Sequence, residues 1–473
     1  MKSIKVIIST IFFAGLLTSC EDYLATTPYD SIDATAAFQT VQDLSDGANG
    51  VYGSISGQNI YEINALMTDE LRRAPTNTGQ GMQVFNHDII PSEGTVSGAW
   101  SNVYITLDRL NRVLEAIDLV AAGNAEEEAL KERIRGEMLG VRAYLHFDAY
   151  RIFVDFDLND SGLAVPYMSA SNVGSPARDN KGDYHTLLMA DIDESINLLE
   201  SSGFFNFNQF NYLAAQGLKA RVALYLGEWQ MAIDAASEVI NSGVSLTGRD
   251  SYQGLWSDAL EQSESEVLFK LPRLTSSDGT VQITERTGNE DIFFYASNTL
   301  ADIYDQNNDI RFDVFFKDDG VDSNDRPAIR VYKYNQRAGQ KNTADIKMMR
   351  LSEMYLIRAE AYARLGGASN LTNAAADVNE LRSDRIPNPA PVSYGTTDAA
   401  ISNILEERRR ELFLEGHRFF DLKRNNLPVE RAAEDIDGGT TSTGLAADDH
   451  RFVWPIPQSE MFANENMVQN PDY

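Results

Sequence analysis

Apolar residues recur at helical spacing along most of the chain. In TLDRLNRVLEAIDLV, Leu107, Leu110, Leu114 and Ile117 fall at i, i+3, i+7 and i+10, which places one apolar stripe on a helix. Helix formers continue the pattern from Glu126 to Phe153, with Tyr144, Phe147 and Tyr150 near its end. The stretch LAAQGLKARVALYLGEWQMAIDAASEVINSG predicts two helices broken at Gly227, the second carrying Ala232 and Ala236 at the small-residue spacing of tight helix pairs. RLSEMYLIRAEAYARLGGASNLTNAAADVNELRSDR repeats the plan, with Gly366 and Gly367 as the break and Ala374 to Ala376 in the second helix.

Both stretches resemble tetratricopeptide units, which put small residues where helices touch and a Leu-Gly at the turn. The Leu226-Gly227 and Leu365-Gly366 turns lie 139 residues apart, so a uniform array of 34-residue repeats is excluded. Between them, from Gly243 to Met349, the pattern becomes loop-rich. Short β-like runs, Glu266 to Leu271 and Ala328 to Tyr334, are separated by Ser/Asp/Gly/Asn clusters such as KDDGVDSNDRP. Long loops on a helical scaffold are where binding residues commonly sit.

The start of the chain follows another logic. Lys2 and Lys5 precede an apolar run from Val6 to Leu17, closed by Leu17-Thr18-Ser19-Cys20. This reads as a signal peptide over residues 1–19, too short for a permanent membrane span. LTSC also matches the bacterial lipobox, so Cys20 is the expected lipidation site, where several acyl chains give firm anchoring. Residues 20–36, rich in Thr, Pro, Asp, Ser and Ala, read as a tether. The body divides into an expected N-terminal helical scaffold over 37–242, the loop-rich region over 243–349 and a C-terminal helical region over 350–473.

Composition narrows the chemistry. The 473 residues carry 70 Asp+Glu against 40 Lys+Arg, a net charge of −30 that disfavours nucleic acid and anionic surfaces as partners. Cys20 is the only cysteine, which excludes internal disulfides and Cys-rich metal clusters. H-E-x-x-H, G-x-S-x-G, the P-loop and G-x-G-x-x-G after a strand are all absent. KDDGVDSND lacks the Gly at position six and the Glu at position twelve of a calcium loop and reads as a solvated acidic loop. No catalytic residue, metal or cofactor is expected.

ILEERRRELFLEGHRFFDLKRNN followed by RFVWPIPQSEMFANENMVQNPDY resembles the SusD/RagB family of surface lipoproteins from Bacteroidota, as do RLSEMYLIRAEAYARLG with VNELRSDR and AWSNVYITLDRLNRVLEAI. The resemblance implies an all-α fold of irregular tetratricopeptide-like helix pairs with a loop-rich ligand-binding subdomain. It also implies a non-enzymatic role: capture of an oligosaccharide outside the cell and delivery to a SusC-like TonB-dependent barrel in the outer membrane, which the lipoprotein covers as a lid. Peptide or protein capture on the same scaffold is the alternative. The acidic body ranks neutral glycans above uronates, although screening within about 8 Å leaves room for a local Arg-lined pocket. Glu407, Arg408, Glu411, Glu415, Arg418, Asp421 and Arg424 fall at spacings for ion pairs, such as Arg418 with Asp421, and read as a structural network.

A sugar site needs an aromatic platform with polar groups at its rim. MTDELRRAPTNTGQGMQVF offers Asp69, Arg72, Asn77 and Gln80, and ERTGNEDIFFYASN offers Phe293, Phe294 and Tyr295 beside Arg286 and Asn289. The resemblance places ligand contacts in these two regions without matching a residue-level motif. For FFY a short buried strand is the competing reading, and for Asp69 a structural hydrogen bond. Trp100 is a further candidate, although its place at the start of a periodic helix fits packing better than a sugar contact.

Overall fold

The computed structural model describes residues 37–56, 58–172, 174–273, 283–285, 291–334, 337 and 343–473. The expected signal peptide, Cys20 and tether, and the candidates Arg286 and Asn289, lie outside the described residues.

The chain folds into successive antiparallel helices that begin with α1 (Val41–Ser54) and α2 (Gln58–Leu66), followed by strand β1 (Leu71–Arg73). The helical series resumes with α3 (Gly94–Ile117), α4 (Ala125–Phe153), α5 (Lys181–Ser202), α6 (Tyr212–Leu226) and α7 (Trp229–Ile240). A strand-bearing stretch follows: β2 (Val267–Leu271), β3 (Phe294–Ala296), β4 (Phe316–Val321), β5 (Pro327–Val331) and β6 (Ile346–Arg350). The C-terminal part holds α8 (Leu351–Leu365), α9 (Ala368–Ser383), α10 (Thr397–Glu411), α11 (Arg418–Arg424), the short pair β7 (Val429–Glu430) and β8 (Gly444–Leu445), and α12 (Gln458–Ala463).

Helix boundaries follow local chemistry. Thr40 and Asp43 form a reciprocal capping box on α1, and Asn124, Asn180 and Asn211 each cap the next helix through the side-chain oxygen. Three glutamates, 126–128, occupy the first turn of α4, where the helix dipole favours negative charge. Gly227 ends α6 at φ +75, a conformation costly for a residue with a Cβ. Consecutive helices pack on one another, α3 on α4, α4 on α5, α5 on α6, α6 on α7, and α7 across to α8. Where α4 passes Phe210, a Cβ at Gly140 would come within 2.1 Å of the ring, so only glycine allows this approach. Ala232 and Ala236 are fully buried as expected, and Ala374 and Ala375 are buried while Ala376 faces solvent.

The strands form a four-stranded antiparallel sheet in the order β1-β3-β5-β4 and a separate pair β2-β6. β1, from the N-terminal helical part, thus completes a sheet whose other strands come from the loop-rich stretch.

Between β2, β6, α8 and α10 lies a buried lattice of charge. Glu411 accepts from Arg350 at 2.8 Å, from Arg385 at 3.0 Å and from Arg311 at 3.1 Å. Arg385 also reaches Glu266, Arg350 reaches Glu266 and Glu415, and Arg311 reaches Glu407. The charged string in the C-terminal third is therefore a core network. One expected pair is corrected: Arg418 binds Asp69, while Asp421 sits between Arg408 at 2.9 Å and Arg424 at 2.7 Å. Arg418 lies at the start of α11, on the side of Asp69, and leaves Asp421 to the arginines one turn away in space. Trp454 is fully buried, and its backbone N–H donates to the Ile152 carbonyl at 3.0 Å, pinning the C-terminal segment to α4.

Candidate functional site

The two candidate segments meet. β1 and β3 pair antiparallel with Leu71 opposite Ala296, Arg72 opposite Tyr295 and Arg73 opposite Phe294. Tyr295 in turn lies opposite Arg330 of β5, which lies opposite Lys317 of β4. Residues directly across an antiparallel sheet share a face, so Arg72, Tyr295, Arg330 and Lys317 form one transverse row. Phe294 and Ala296 point the other way into the core, where Phe294 packs on Phe85 with ring centroids 5.1 Å apart.

The row is built on a half-buried ring. The Arg72 guanidinium carbon stands 4.9 Å from the Tyr295 centroid, a cation–π contact. Arg72 is buried; its Nη1 donates to Asp322 at 2.8 Å and its Nη2 to the Pro327 carbonyl. Arg330 is held by Asp319 at 2.7 Å, and the Lys317 ammonium lies 3.4 Å from the Tyr332 centroid. Burial, reinforced by Asp319, raises the Tyr295 phenol above its ordinary value, so it remains a neutral donor and acceptor. Both guanidiniums of the row meet a carboxylate, Arg72 at Asp322, which Arg326 shares, and Arg330 at Asp319, while the Lys317 ammonium stands over Tyr332.

The loop after β1 is fixed to β3. Ala74 N–H donates to Phe293 O at 3.0 Å, and the Asn77 amide donates to both Gln80 O and Phe293 O, at 3.0 and 3.2 Å. Asn77 Oδ1 accepts Gly79 N–H at 2.8 Å, while Gln80 Oε1 accepts Thr78 N–H at 3.1 Å. Gly81 follows at φ +66 and leads into a helical turn, Met82–Phe85.

Among the sequence candidates, Gln80, Phe293 and Tyr295 keep partial access to solvent. Asp69, Arg72, Asn77 and Phe294 are buried and engaged within the protein, a placement that weighs against direct ligand contact. Asp69 accepts two bonds from Arg418 at 2.9 and 2.8 Å, with Arg409 at 3.3 Å. Burial pushes its carboxyl up, but these two guanidiniums outweigh it and hold it at about 2. Trp100 sits elsewhere. Its rings of contact are Tyr104 at 4.5 Å and Phe153 at 5.1 Å, and it walls a pocket of about 170 Å³ with Asp108, Asn172 and Glu460.

Two family models match: one described as the SusD family over residues 285–473, and one described as starch-binding, associating with outer membrane, over residues 22–224. Together they leave only residues 1–21 and 225–284 unmatched. The chain belongs to the SusD family. The SusD-like protein P38 of Formosa agariphila is 24% identical, with 100% of this chain and 99% of that protein aligned. The starch-binding protein SusD of Bacteroides thetaiotaomicron is 35% identical over 130 residues, 27% of this chain and 22% of its own. A crystal structure of a SusD superfamily protein from Bacteroides thetaiotaomicron superposes with a TM-score of 0.80 at 25% identity, covering 91% of this chain and 100% of that one.

In this SusD-family chain, sequence reasoning missed Asp322, Arg330 and Lys317. They lie in or beside the stretch read as a solvated acidic loop, which is the β4–β5 hairpin. Its ion pair to β1, from Arg72 to Asp322 across 250 residues, leaves no local signal. Among the described residues no group of three or more His, Cys, Asp or Glu could hold a metal ion, and no helix is long and apolar enough to cross a membrane.

Proposed function

We propose that this chain captures neutral oligosaccharides outside the cell and passes them to a TonB-dependent outer-membrane barrel, which it covers as a lid while anchored through lipid on Cys20. The observation that carries the capture step is the half-buried Tyr295 ring resting on Arg72, beside the Asn77-fixed loop. It offers the apolar face of a pyranose a ring to lie on, with the Tyr295 hydroxyl at its rim. The reading is further supported by the starch-binding description of the matched family model and the name of the Bacteroides thetaiotaomicron relative. The acidic body, with a net charge of −30, favours an uncharged chain over a uronate or a sulfated one.

Affinity gels cast with starch, β-glucan, fructan, mannan and alginate test the reading. Retardation by at least one uncharged polymer, reduced in Tyr295→Ala, is the expected result. Retardation by alginate alone would overturn neutral specificity, and absence of retardation by every polymer would overturn glycan capture. Copurification of a β-barrel receptor with the detergent-extracted protein tests the delivery step.

A further inference from the structure

A second cleft lies on the helical body, away from the sheet. It has a volume of about 940 Å³ and opens between the C-terminal ends of α5 and α7, the start of α6 and the segment 261–265 that leads to β2. Its size is at the upper end of the range for small-molecule sites, about 300 to 1,000 Å³.

Three rings stand in its wall: Phe204, Phe205 and Tyr212, all half-buried. The Arg133 guanidinium, from α4, lies 3.9 Å from the Phe204 centroid and backs that ring. Gln262 is fixed in place: its Nε2 donates to Phe205 O at 3.1 Å and its Oε1 accepts Phe207 N–H at 3.0 Å. This clamp ties the 261–265 segment to the aromatic wall and gives the cleft a set shape.

The polar groups at the rim are unspent. Among the described residues, the Asn241 side-chain amide that lines the cleft makes no hydrogen bond, and the carboxylates of Glu200, Glu238 and Glu261 have neither ion pair nor hydrogen bond. Among the described residues no Lys, Arg or His lines the cleft. Ring faces with free amide and carboxylate acceptors suit the hydroxyls and C–H faces of a sugar, and carboxylates without a cation repel an anionic one.

We infer that this cleft is a second saccharide-binding site, for a short uncharged chain, independent of the Tyr295 ledge. It rests on the capture reading above, and extends it from one contact with the polymer to two. Two weak sites on one molecule raise retention of a long chain by effective concentration, with no new contact at either site.

Calorimetric titration of the full-length mature protein with uncharged hexasaccharides of α-glucan, β-glucan, β-mannan and fructan tests it. For the hexasaccharide bound, two equivalents are expected for the wild type and one for Tyr295→Ala. One equivalent is also expected for Ser245→Trp, which fills the cleft from an exposed position, and for the pair Phe204→Ala and Asn241→Ala. The Tyr295→Ala/Ser245→Trp protein should bind none, with melting temperatures within about 3 °C of wild type. On the parent polymer, each single-site loss should weaken retention at least tenfold. One equivalent in the wild type, lost in Tyr295→Ala and unchanged by the cleft variants, would overturn this inference and leave glycan capture standing. Cleft binding of a lysine-rich peptide and of no sugar would overturn it likewise. No binding of any hexasaccharide by the wild type would overturn both.

Discussion

Arg72 lies directly across the β1–β3 pair from Tyr295, its guanidinium carbon 4.9 Å from the ring centroid, and so forms the underside of the ledge on which a sugar can rest. The arginine spends its charge on Asp322 and leaves the ring as the feature that meets the ligand.

Tyr295→Ala should therefore weaken glycan binding by about 1–3 kcal/mol, the worth of one aromatic anchor. Because the ring is half-buried at the surface, thermal stability should change little. Tyr295→Phe should retain most of the affinity, and titration calorimetry with the retained glycan measures both.

Asp322→Ala removes one half of an ion pair whose side chains are 0% and 2% exposed, and leaves Arg72 charged without its carboxylate. The expected cost is about 3–5 kcal/mol of folding stability, read from urea unfolding. Arg72→Met together with Asp322→Leu should recover part of it, since both charges then leave the interior.

Glu411 governs the acid limb of stability. Burial pushes its carboxyl up, but Arg385, Arg350 and Arg311 prevail and hold it well below the ordinary carboxylate range. A depressed folded-state value contributes stability at pH above the unfolded value of about 4.3, and that contribution fades as pH falls through it. Glu411→Gln should destabilise by about 3 kcal/mol at pH 7 and show a shallower loss between pH 5 and 3, as followed by thermal unfolding across that range.

Glu70 works in the opposite direction. Burial raises its carboxyl to about 8, against the lesser pull of Arg409. The folded chain then holds a proton that the unfolded chain releases above about pH 4.3, so this contribution is fullest in acid and declines as pH rises toward 8. Glu70→Gln should raise the melting temperature at pH 8 by about 3 °C relative to wild type and change it little at pH 4.

Cys20→Ala should release the protein from the membrane fraction into the soluble one, as judged by fractionation and immunoblot. Retention in the membrane fraction would end the lipid-anchor reading.

The helical pairs were legible because their signals are local. Periodic apolar residues, capping Asn and Thr, and stops at Gly227 and Gly366 each act within a few residues of where they are read. The Tyr295 ledge was legible as two regions and illegible as a surface. In a three-residue strand, Phe294 and Tyr295 look alike, and only the register with β1 sends one to the core and the other outward. The same holds for charge: helical spacing suggested Asp421 for Arg418, yet the partner is Asp69, 349 residues away, brought near by the packing of α11 on α2. The cleft beside Phe204 needed the ends of α5 and α7 to converge, which no residue pattern announces.

The pairing of β1 with β3 also sets a timetable. β1 is made early, β3 much later, and Arg418, which bonds Asp69 just ahead of β1, comes within the last sixty or so residues. The ledge thus cannot form until the chain has been made through β5, and its Asp69 anchor waits for α11. Under the capture reading, a molecule cut short before β5 lacks the ledge however complete its N-terminal helices are.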